Sequence, residues 1–173
     1  MVLAGFVVLV IAVGIGAYLF QPWKLFINTT VDEALPSVAA AEPSPGATAA
    51  PPEPVVVSEG SLISHEHDTT GTVKLIRLVD GALVVRVENL ETSNGPDLKV
   101  WLTAAPVIAG RDGWGVFDDG RYVDLGSLKG NKGTANYPVP TGTDVSGLNS
   151  VSIWCDRFNV SFGAAELSPV SAE

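Results

Sequence analysis

The stretch from Val2 to Phe20 contains no charged side chain, and it constrains this chain more than any other feature. As a helix it would span roughly 28 Å, close to the ~30 Å hydrocarbon core of a bilayer. A cleaved signal peptide has a shorter apolar core of ~7–15 residues followed by a small-residue cleavage site, and Ala17-Tyr18-Leu19-Phe20 offers no such site. Residues 1–23 are therefore expected to be an uncleaved transmembrane anchor with Trp23 at the interface. Lys24, the one nearby cation, lies downstream, and basic residues that mark a cytoplasmic flank are missing before Val2. An apolar N-terminal segment followed by a folded domain nevertheless behaves as a signal anchor. The expected placement is single-pass in the plasma membrane, held by residues 2–20, with the C-terminal domain extracytoplasmic.

The 173 residues suit one domain with appendages. Residues 24–57 form a juxtamembrane segment and a Pro/Ala-rich stalk, densest from Pro36 to Pro54. Such a segment cannot bury a core, and its polyproline II conformers would let nineteen residues reach roughly 60 Å. Residues 169–173 form a tail.

Between these lies a β domain, residues 58–168, made of short β-branched and aromatic runs separated by Gly, Pro, Asp and Asn turns. About eight strands are expected, arranged as an antiparallel β-sandwich or barrel. Thr72–Val79 and Leu83–Glu88 flank Asp80-Gly81, a hairpin signal, with Leu83, Val85 and Val87 facing inward. Leu98, Val100 and Leu102 alternate with Lys99, Trp101 and Thr103, as in a half-buried strand. Further strands are expected at Ser61–His65, Arg121–Leu125 and Thr134–Val139, the last held to an edge or strand end by Pro138 and Pro140. A hairpin around Asp156-Arg157 would pair Cys155 with Phe158, Ile153 with Val160 and Val151 with Phe162, each pair apolar.

Cys155 is the only cysteine, so no disulfide can form within the chain. It is either a packed core thiol or a functional one, raised toward function by its strand-end position and by Arg157, whose charge could stabilise a thiolate. His65-Glu66-His67 would place two imidazoles on one strand face, able to share a metal but too few for specificity; His67 alone could instead pair with Cys155. Asp112, Asp118 and Asp119 lack the EF-hand spacing and read as a solvated loop beside exposed Trp114 and Phe117. No hydrolase, phosphate-loop or CxxC motif occurs. The formal charge of −9 argues against a nucleic-acid partner, whose phosphates it would repel.

Six ordered segments carry a resemblance. Gly60 and His67 precede Gly71-Thr72-Val73; Gly95-Pro96-Asp97-Leu98, Val123-Asp124-Leu125-Gly126 and Leu128-Lys129-Gly130-Asn131-Lys132-Gly133 follow, then Asn136-Tyr137 with Pro140, and finally Ser150-Val151-Ser152-Ile153-Trp154-Cys155 through Phe158 and Phe162-Gly163-Ala164-Ala165. Together they resemble the DM-thirteen domain family over about residues 58–168, and the apolar anchor with its stalk looks like membrane-anchored actinobacterial members. The resemblance implies an extracytoplasmic β domain for electron transfer, with Cys155 as a naked thiol or as ligand to a group such as non-covalent haem, and His67 at the position of a recurrent histidine. Asp68-Thr69-Thr70 separates His67 from Gly71, so that loop departs from the family pattern.

Two functions follow as expectations. One is an anchored redox or electron-transfer domain acting through Cys155 on a redox or envelope protein partner, with Arg157 and His67 assisting. The other is a non-catalytic envelope interaction module that uses Trp101, Trp114 and Trp154 as contact area while Cys155 is structural. Either is closer to a carrier or binding domain than to a stand-alone enzyme.

Overall fold

The structure, a computed structural model, describes residues 2–36 and 53–170. Val2–Phe20 forms the helix α1, and its Leu3–Phe20 portion is long and apolar enough to cross a membrane. A 3-10 turn at Pro22–Phe26 follows, entered through Gln21 in the left-handed region at φ 44°. The stalk expected at 36–54 falls almost wholly outside the described residues.

The rest is mostly β, in two sheets. One has the order β1-β8-β5-β4-β2-β11, from β1 (Thr30–Asp32), β2 (Val55–Ser61), β4 (Thr70–Arg77), β5 (Leu83–Glu91), β8 (Lys132–Pro138) and β11 (Ser168–Pro169). The other has the order β3-β10-β9-β6-β7, from β3 (Ile63–Ser64), β6 (Leu98–Thr103), β7 (Tyr122–Ser127), β9 (Ser150–Cys155) and β10 (Val160–Glu166). Every pairing is antiparallel except β1 with β8, and the two sheets pack as a sandwich rather than closing into a barrel.

Period-two alternation decides what each face buries. Val73, Leu75, Val85 and Val87 point from the first sheet into a core shared with Val100, Leu102, Val151 and Ile153 from the second. The opposite face of the second sheet is also covered. Trp101 and Trp154 stack there at 4.9 Å between ring centroids, under Phe117, Ala105, Val107 and Val116 from the β6–β7 loop. This corrects the expectation of surface aromatics: Trp101 is 4% exposed, and Trp154 and Phe117 are 0% exposed. Pro138 ends β8 opposite Val84, in keeping with its missing N–H.

The segment after α1 is built into the domain. Asn131 is buried; its side-chain oxygen accepts from the Thr29 amide at 2.8 Å, while its Nδ2 donates to Thr92 O and Asn28 Oδ1, each at 2.8 Å. Glu33 accepts from Lys129 Nζ at 2.9 Å and from the Asn136 amide at 2.8 Å. The Lys129 ammonium and the Asn136 amide hold the Glu33 carboxyl below its ordinary range. Leu35 then packs on Ile76, Leu78 and Val84, on the outer face of the first sheet. The chain thus joins this sheet at Thr30 before it enters β2 at Val55, and the domain boundary expected near 58 falls within β2.

Candidate functional site

Cys155 ends β9, between Leu98 on β6 and Val160 on β10. The hairpin is wider than expected. Four residues, Asp156–Asn159, make the turn, Asn159 takes a left-handed φ of 49°, and Cys155 pairs with Val160 rather than Phe158. A bulge then places Phe162 opposite no single partner, so Ile153 pairs with Gly163 and Val151 with Ala165. The bulge also turns Phe162 into the core and under His67.

The thiol is 0% exposed and belongs to the main core. Burial pushes its pKa up; the backbone amides of Phe158, Arg157 and Asp97 oppose this, and the nearby Glu66 carboxylate adds to the rise. A neutral thiol, not a thiolate, is therefore the resting species. An activated surface thiolate does not fit this environment.

Arg157 does not serve the sulfur through its charge. Its Nη1 donates to the carbonyls of Tyr18 and Leu19, each at 3.1 Å, and its guanidinium lies over the Tyr18 ring. The last carbonyls of a helix lack intrahelical donors and carry negative partial charge, which a cation satisfies. Only the Arg157 amide acts on Cys155. Thiolate stabilisation is thus replaced by capping of α1.

The two histidines part company. Residues 65–67 form a bend rather than a strand, so the one-face argument fails. His65 is buried, with Nδ1 2.9 Å from Ser161 Oγ and Nε2 3.1 Å from Ile108 O; Ser161 Oγ in turn accepts from Ser152 Oγ at 3.0 Å. Desolvation lowers its pKa, partly offset by the Ile108 carbonyl. His67 instead lies on Phe162 at 3.9 Å between centroids, with Nε2 3.5 Å from Glu66 Oε2. Among the described residues no three His, Cys, Asp or Glu side chains gather as metal ligands.

His67 lines a cleft of about 330 Å³ with Glu66, Phe162, Phe158, Pro22 and Phe20. Phe20 and Phe158 stack on each other in its wall, 5.3 Å between centroids. It lies where the end of α1 meets the end of the sandwich that carries Cys155. Phe158 and Pro96 line it, while Phe158 and Asp97 supply amides around the sulfur, so Phe158 borders both the cleft and the surroundings of the thiol. Sequence reading found Cys155 and His67 but not this cleft, because Phe20, Phe158 and Glu66 carry no spacing signal. A haem between Cys155 and His67 does not fit. Axial ligation needs the sulfur in the cavity wall, and Cys155 is enclosed by Leu98, Val160 and the turn instead.

A family model described as Electron transfer DM13 matches residues 61–167, from the end of β2 to the residue before β11. No curated protein and no solved structure matches the chain.

Proposed function

The chain belongs to the Electron transfer DM13 family, which carries an electron-transfer-related function, and from that premise we propose that it is a membrane-anchored, extracytoplasmic domain exchanging electrons through a gated Cys155 thiol. The observation that carries the proposal is convergence: Cys155, the His67–Glu66 pair and the capped end of α1 occupy one end of the sandwich, around one cleft. With α1 across a bilayer, that end faces the membrane surface. Oxidation of two Cys155 thiols to an intermolecular disulfide would pass two electrons to an oxidised redox-protein partner and release two protons, and oxidation of one thiol with water to sulfenic acid would pass on the same. Both need the Asp156–Asn159 turn to open, since the closed turn leaves the sulfur neutral and covered.

A second function is favoured by one observation, the complete burial of Cys155 in the core. In it the cysteine only packs, and the domain is a passive interaction module. The two separate on the intact protein in lipid nanodiscs. A gated thiol reacts with a thiol reagent faster than global unfolding measured by hydrogen exchange, and forms a Cys155-linked dimer under mild oxidation. A packing cysteine is labelled no faster than the core unfolds, and that outcome would remove the thiol from the function.

A further inference from the structure

The cleft has properties that narrow what could occupy it. Its walls are largely aromatic and apolar: Phe20 stacked with Phe158 on one side, Phe162 under the His67 imidazole on the other. An aromatic lining of this kind suits a flat, conjugated group better than a branched one. Polar atoms are few. His67 offers a ring nitrogen, and Lys24, already donating to Pro96 O at 3.3 Å, stands at the rim with Asn94. Glu66 and Lys24 set one carboxylate and one ammonium in the lining, so its formal charge sums to zero and favours neither an anion nor a cation. A neutral ligand that accepts hydrogen bonds is what this lining tolerates. The cleft also opens beside the last turn of α1, where a membrane-soluble molecule would arrive.

We infer that this cleft binds the head group of a quinone-class lipid: a planar, uncharged ring with carbonyl acceptors, packed on the exposed Phe158 ring with one carbonyl accepting from His67. The inference rests on the membrane placement proposed above and supplies that function with a ligand class. It does not depend on Cys155 chemistry.

The chain has two histidines, which makes the test selective. Full-length protein labelled only at histidine, in phosphatidylcholine nanodiscs, is titrated with menadione, a tail-less quinone, and the imidazole NMR signals are followed. The expected result is a saturable shift of His67, with His65 unmoved because it is sealed by Ser161 and Ile108. Phe158→Ala, followed by the His67 signal, and His67→Gln, followed by equilibrium dialysis of menadione, should each weaken binding by about two- to tenfold, the loss of one ring contact or one hydrogen bond in a small site. An unmoved His65 signal confirms that the Phe158→Ala protein is folded, and Asp80→Asn, at the opposite end of the first sheet, should bind as the parent does. No saturable His67 shift would overturn the inference. Equal displacement of menadione by oleate would also overturn it, because the cleft would then be an acyl-chain site. Quinone binding with an inert Cys155 would leave this inference standing and remove the gated thiol; a reactive thiol without quinone binding would do the reverse.

Discussion

Arg157 caps helix α1 in its last turn, donating to the Tyr18 carbonyl at 3.1 Å while its guanidinium centre lies 5.8 Å from the Tyr18 ring centroid. A cation two residues beyond the only cysteine looks, in sequence, like a thiolate partner. In the fold it joins helix α1 to the β domain.

Arg157→Ala should therefore loosen the junction and leave the thiol alone. Amide exchange in Gln21–Phe26 is expected to accelerate in nanodiscs, while the pH profile of Cys155 alkylation stays where it was. A downward shift of that profile's rate at neutral pH, with unchanged exchange, would restore the thiolate role.

His65 makes stability depend on pH near neutrality. Its pKa is lowered in the folded state, so the native protein keeps it neutral while the unfolded chain takes up a proton below its ordinary value of 6.5. Stability is then fully present above that value and falls as pH drops toward the folded pKa, by at most ~1.4 kcal/mol per pH unit for one proton. The lowered carboxylates Glu33 and Glu88 add acid sensitivity only below their ordinary 4.5. Denaturant melts at pH 7 and pH 5.5 should differ in the parent and converge in His65→Gln.

Cys155 contributes at the alkaline side. Its raised pKa keeps the native thiol protonated where the unfolded thiol ionises, so stability is present below its ordinary value of 9.0 and declines above it. Tyr137, also raised by burial, adds to the decline only above 10.0. The loss between these values should vanish in Cys155→Ala. That variant should also cost about 1 kcal/mol or more at neutral pH from the small cavity left behind.

Gly133 admits the strand β1. It has a φ of 97°, and a Cβ there would collide with the Val31 carbonyl oxygen. Gly133→Ala should cost about 1–3 kcal/mol in backbone strain and displace β1, exposing the amides of Thr30–Asp32 to exchange while Val151 and Ile153 stay protected. Unchanged protection of β1 would show that the strand does not depend on this close approach.

Local patterning made much of this protein legible. The apolar run became one helix because nothing in it is charged, and the alternation in Leu98–Thr103 and Leu83–Val87 assigned core faces correctly, since side chains alternate along any strand. The ordered motifs from Gly60 to Ala165 pointed to the family that the match over residues 61–167 establishes. Other features depended on groups far apart in the chain. The second face of Trp101 and Trp154 was taken for surface because alternation cannot show that the loop carrying Phe117 folds over it. The bulge at Phe162 altered a register that hydrophobic pairing alone could not resolve, since a one-residue insertion leaves the composition unchanged. The exposure of Cys155, the capping role of Arg157 and the cleft beside His67 were decided by long-range packing: a residue's type sets its chemistry, but what solvates or covers it is set by neighbours from elsewhere in the chain.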